Sequence, residues 1–245
     1  MIILRDEKRI QRLGMLAKIA SYGGMAILLG GLVLIFVVED FERVIWLQLG
    51  ALFIGWLAAQ VGIYLMPRYV RSPRPDEVLD ETLQKAVKNG RLYHYLLPAP
   101  HVCLTPHGVL VFNLRPNIGK IWVDEGGKWR QSGGFLRRIF GQEPIGDPTS
   151  EVEKMVEAMA GYIRKNAPTV AELPIGALIV FTTKGVTELD LGNAAMPALH
   201  YTKVKGFLRQ QKREPLPKAD YDALRAAFDL KAANLEEVLY EKDSA

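Results

Sequence analysis

Charge disappears from this chain twice. Ile19 to Val38 is 20 residues and Val44 to Pro67 is 24, with no Asp, Glu, Lys, Arg or His in either. A helix needs about 20 apolar residues to cross a hydrocarbon core of about 30 Å. Both stretches predict membrane-spanning helices, joined by the short, mostly acidic Glu39-Asp40-Phe41-Glu42-Arg43. A buried hairpin of a soluble domain would keep a polar stripe for water, and neither stretch has one. A cleaved leader fits no better, because the first run is long and the second follows at once. Trp46 and Tyr64 lie near the ends of the second run, and Gln48 and Gln60 lie inside it. Gly23, Gly24, Gly30 and Gly31 in the first run, and Gly50, Gly55 and Gly62 in the second, let helices approach closely.

Beyond Pro67 the pattern shortens. Arg71-Ser-Pro-Arg-Pro75 reads as a stiff linker, since proline resists helix. Val78, Leu79, Leu83, Ala86 and Val87 recur at helical spacing and predict a helix over 76–89, stopped by Gly90. Four short apolar runs follow: Leu92 to Leu97, His101 to Leu104, Val109 to Leu114 and Lys120 to Val123. The turns between them carry Pro98 and Pro100, Pro106-His-Gly108, and Pro116-Asn-Ile-Gly119. Asp147-Pro148 caps a helix running to about Lys165, with Val152, Met155, Val156, Met159 and Ile163 on one face. Ala177 to Thr182 and Val186 to Leu191 read as strands, while Tyr201 to Gln211 carries a weaker pattern. Asp220 to Phe228 and Asn234 to Tyr240 read as closing helices. Helix, central strands, helix, strand is an α/β order. The segments expected are 1–18 before the membrane, a hairpin over 19–67, a linker over 68–75, a domain over 76–228, and a closing helix and tail over 229–245.

Charge then sets orientation. Arg5, Lys8, Arg9, Arg12 and Lys18 precede the first span, and Arg68, Arg71 and Arg74 follow the second. Basic residues stay in the cytoplasm, so both termini are expected there, in an integral protein of the inner or plasma membrane. Neither span holds an Asp, Glu, Lys, Arg or His, which speaks against transport or proton relay. The net charge of +4 does not by itself demand a nucleic-acid partner. Cys103 is the only cysteine, so no intramolecular disulfide forms.

The stretch from His101 to Ile121 carries a resemblance. His101, the turn Thr105-Pro106-His107-Gly108, the strand Val109 to Phe112 and Gly119-Lys120-Ile121 fall in order. Trp129, Asp147-Pro148-Thr149-Ser150-Glu151, Glu81 and Leu216-Pro217 extend the pattern. Over residues 76–228 the chain resembles the nuclease-related domain family, a branch of the restriction-endonuclease-like superfamily. The resemblance implies a mixed-sheet domain of that fold, with two carboxylates holding Mg²⁺ to activate water. Here the family's metal-binding Asp falls on Pro100, its Glu on Asn113 and its Lys on Arg115. Proline offers no ligand, Asn113 one neutral oxygen, and Arg115 stays protonated. These are degenerate positions, and no catalytic residue, metal or cofactor is expected. Glu81, Asp124 and Glu125 are the acids that could stand in.

Other groupings point elsewhere. His101, Cys103 and His107 supply three metal-ligating side chains without the paired spacing of a zinc site. Lys128, Arg130, Arg137 and Arg138 interleave with Trp129, Phe135 and Phe140, a pattern that can grip nucleic acid or anionic headgroups. Lys203, Lys205, Arg209, Lys212 and Arg213 form a second basic group. The function expected is a membrane-anchored, inactive nuclease-like domain, an accessory or interaction subunit of a membrane assembly. Its expected partners are other membrane subunits, anionic lipid headgroups, nucleic acid or a second copy. The alternatives are a membrane-tethered nucleic-acid binder and an active nuclease with relocated acids.

Overall fold

The computed structural model describes residues 1–133, 142–170, 173–211 and 214–233. The predicted helix over Asn234 to Tyr240 lies outside them. Two compact units form: residues 8–74 with 142–143, and the rest of the described chain.

The first unit is a hairpin of two long helices, α1 (Glu7–Val37) and α2 (Phe41–Tyr69). Asp40 caps α2, its carboxylate accepting from the Glu42 and Arg43 amides at 3.2 and 3.3 Å. Both helices are long and apolar enough to cross a membrane, and only 11% and 17% of their most apolar windows are buried. Phe36 and Trp46 are 83% and 69% exposed, the reverse of a soluble core helix. Much of what the helices bury is small, beside Ile10, Val44 and Leu65. Ala17, Gly24 and Gly31, seven residues apart, are buried on α1. A methyl added at Gly24 or Gly31 would come within 2.9 Å of Ala58 or Ala51 on α2. Gly55 returns the contact, its space taken by Leu28. Gly23, Gly30 and Gly50 face open space instead. At the foot of α2, Arg68 pairs with Glu143 at 2.9 Å and lies 4.0 Å from the Tyr64 ring centre.

The second unit is mixed α/β. Its described strands are β1 (Ile2–Arg5), β2 (Arg91–His94), β3 (His101–Thr105), β4 (Gly108–Arg115), β5 (Gly119–Val123), β6 (Trp129–Gln131), β7 (Gly176–Phe181), β8 (Val186–Asp190) and β9 (Ala198–His200). Its described helices are α3 (Pro75–Gln84), α4 (Pro148–Asn166), α5 (Tyr201–Gln210) and α6 (Lys218–Ala233). The main sheet has the order β1-β2-β3-β4-β7-β9, and β6-β5-β8 forms a smaller one. β2, β3 and β4 run antiparallel, whereas β7 lies parallel to β4, as a strand after a crossover helix must. Gly108, at φ 128°, closes the β3–β4 hairpin in a conformation that favours glycine.

Period-two alternation splits the sheet into two cores. Leu4, Tyr93, Val102, Leu104, Val109 and Val111 point to one side, packed with Met159 of α4, Phe228 of α6 and Trp129 of the small sheet. Ile3, Leu92, Cys103, Phe112 and Leu178 point to the other, under Leu79 and Leu83 of α3 and Val204 of α5.

Three expectations change. Residues 1–18 are not one lead-in, because Ile2–Arg5 is a sheet strand pairing in parallel with β2, Ile2 opposite Arg91 and Arg5 opposite His94. The helix expected over 76–89 ends at Gln84, where the amides of Ala86 and Val87 both donate to the Leu83 carbonyl and tighten the last turn. The strand expected over 92–97 ends at His94, because Tyr95 turns to φ 63°.

Candidate functional site

Two buried polar clusters sit at one end of the main sheet, on opposite faces. The first holds Asn113 and Arg115, two of the positions singled out by the sequence resemblance. Asn113 and Arg115, two apart on β4, share a face and are 3% and 1% exposed. α4 begins over them, with Asp147 accepting from the Ser150 amide at 3.2 Å and Pro148 in the first turn. That start places Glu151 against both side chains. Arg115 donates from Nη1 to Glu151 at 2.7 Å, and from Nη2 to the Ile145 carbonyl. Asn113 donates to Glu151 at 3.3 Å and to the Pro148 carbonyl at 3.2 Å. The Arg115 Nε is buried without a hydrogen-bond partner. Pro100 lies just before β3, and its carbonyl accepts from the Tyr95 amide at 2.6 Å. Both β4 side chains are therefore spent as donors on a single carboxylate and two carbonyls. A divalent cation needs hard anionic oxygens, and the one present is already neutralised.

The second cluster went unseen in the sequence. Arg5 ends β1, His94 ends β2 and His101 begins β3, side by side across the sheet and facing α3. Asp76 and Asp80 reach down from α3. Arg5 contacts Asp76 at 3.2 Å and pairs with Asp80. His94 Nε2 meets Asp80 at 2.8 Å, and its Nδ1 lies 2.7 Å from Nδ1 of His101. One proton lies between the two rings. With neutral imidazoles, His94 donates from Nε2 to Asp80 and accepts at Nδ1 from His101. Asp76 and His94 are fully buried. The signal was present: Asp76 and Asp80 are four apart, on the face of Leu79 and Leu83. A carboxylate on an apolar face needs a buried partner.

The remaining sequence candidates scatter. His101 turns to His94, while His107 is exposed in the hairpin turn and Cys103 is buried in the α3–α5 core. Burial pushes the Cys103 thiol up to about 12, so it stays protonated and inert. Among the described residues no group of three such side chains could hold a metal. Glu81 and Glu125 are exposed. Asp124 closes a turn onto the amides of Gly126 and Lys128 and pairs with Arg130 at 2.9 Å, bonds that hold its carboxyl below the usual range. Lys128 is exposed, and Arg137 and Arg138 lie outside the described residues, as do Phe135, Phe140, Lys212 and Arg213. Trp129 is no stacking platform: it is 7% exposed, packs on Phe181, and donates to Thr149 Oγ1 at 2.9 Å.

No family model, no curated protein and no solved structure matches this chain.

Proposed function

We propose that the chain is a membrane-anchored, catalytically inactive nuclease-like domain, serving as an accessory or interaction subunit of a membrane assembly. The observation that carries this reading is the closed polar centre on β4. Asn113 and Arg115 converge on Glu151, the three lock one another, and among the described residues no second carboxylate bonds to either β4 side chain. The fold is kept while the groups that would do hydrolysis are spent on packing. Function then rests on surfaces.

The anchor reading draws on the two exposed apolar helices. It gains from β1. That strand precedes both helices and shares a sheet with β2, which follows them. An even number of spans returns the chain to the side it left, as this pairing requires. The basic residues flanking the spans then favour the cytoplasm for both. Gly23, Gly30 and Gly50, unused in the hairpin's own seam, leave room for another helix to approach.

The test has two arms. Membranes carrying the protein are washed with alkaline carbonate, and the purified chain is incubated with DNA and RNA in Mg²⁺ or Mn²⁺. The protein should stay in the pellet and no cutting should appear. Release by carbonate would contradict the anchor. Metal-dependent cutting abolished in Glu151→Gln would contradict the inactive centre.

A further inference from the structure

A cavity of about 360 Å³ lies between the segment 86–89 that follows α3, the β3–β4 turn and α5, at the end of the main sheet away from the polar clusters. That volume falls at the low end of the range for small-ligand pockets, about 300–1,000 Å³. Its wall is apolar: Val87, Leu110, Leu178, Phe207 and Leu208. All but Leu178 are only half-buried, although they belong to or pack on the α3–α5 core. The polar residues of the cavity lining are Lys88, Asn89, Thr105, His107 and Gln211. Lys88 is exposed. Three further cations lie along α5: Lys203, Lys205 and Arg209. Those three do not line the cavity, so the positive charge beside the apolar hole is that of Lys88.

We propose that this cavity binds a single apolar chain with an anionic head. The chain fills the space against Leu110 and Phe207, and the head group lies on Lys88. The volume fits one chain and not a two-chain lipid body. The charge selects a carboxylate or phosphate over a neutral alcohol. The chain comes from a free fatty carboxylate or from one arm of a bilayer lipid, sources that differ in how the ligand arrives.

The experiment uses the full-length chain in phosphatidylcholine nanodiscs with diazirine-bearing decanoate, irradiated and mapped by mass spectrometry. Adducts are expected on peptides covering 86–89, 106–110 and 207–211, competed by decanoate and much less by decanol. Lys88→Glu should weaken them about twofold to fivefold, the worth of one exposed charge pair. Ala86→Phe, which narrows the wall, should remove them. Native protection of Cys103 from alkylation shows that each variant is folded. A parallel nanodisc carries the diazirine on a phospholipid acyl chain. Labelling of the same peptides there assigns the chain to the bilayer, and labelling only by decanoate assigns it to the free acid. Adducts confined to residues 19–67, or decanol competing as well as decanoate, would overturn the proposal.

Discussion

The hairpin and the α/β unit use the same apolar residue types under opposite rules. In the α/β unit the large side chains are inside: Tyr93, Phe112, Phe181 and Phe228 are fully buried. In the hairpin most of them are outside, Ile10, Val44 and Leu65 excepted, and the seam is built largely on glycine and alanine. Burying apolar area drives the first. It cannot drive the second once lipid replaces water, so close packing takes over. Glycine marks the difference. Gly24 and Gly31 are fixed by lack of room, whereas Gly108 is fixed by its φ of 128°.

That contrast can be broken in graded steps. The largest effect belongs to the water-driven core. Phe228→Ala, which empties the space against Tyr93, should cost the α/β unit about 3–5 kcal/mol. Pulse alkylation of Cys103 across a urea series reads it, and carbonate resistance of the hairpin should not move. Glu151→Ala comes next. It strands the buried Arg115 guanidinium, a loss of about 3–5 kcal/mol if the pair were wholly buried, but the Glu151 side chain is 42% exposed and water offsets part of it. About 1–3 kcal/mol is expected by the same alkylation readout.

Smaller again is overpacking of the seam. Gly24→Val should lower the hairpin's thermal stability in detergent by about 1–3 kcal/mol, while Gly23→Val, on the open face, stays within about 0.5. Equal effects would show that the seam is not where α1 meets α2. The last test is alkaline, and its size grows with pH. The folded Cys103 thiol is pushed up to about 12, whereas an unfolded thiol ionises near about 8.5. Its contribution is intact below the unfolded value and lost as pH rises towards the folded one. The α/β unit should therefore weaken between these limits, and less so in Cys103→Ala.

Legibility followed the same divide. The two long apolar helices could be read because absence of charge over 20 residues is a local property. β3, β4, β5, β7, β8 and α4 could be read within a residue or two, since alternation, Gly108 and the Asp147-Pro148 cap are local as well. β1 could not. Ile2–Arg5 is too short to show a period, and its partner lies beyond the whole hairpin. Arg5 therefore looked like a basic flank when it is the partner of Asp76 and Asp80. Asn113 and Arg115 were found through the resemblance, yet their contact with Glu151 depends on where α4 starts. The pairing of His94 with His101 depends on the β2–β3 register, which no spacing of one strand reveals.

The central claim is an anchored subunit whose domain serves an assembly. The most direct measurement is a native purification: a C-terminal tag, extraction in mild detergent, and size exclusion with mass spectrometry of the main peak. The account predicts a large peak holding stoichiometric membrane proteins, which Gly23→Leu or Gly30→Leu on the open face shifts to smaller size. A small monodisperse peak of this chain alone, unchanged by either substitution, would contradict it.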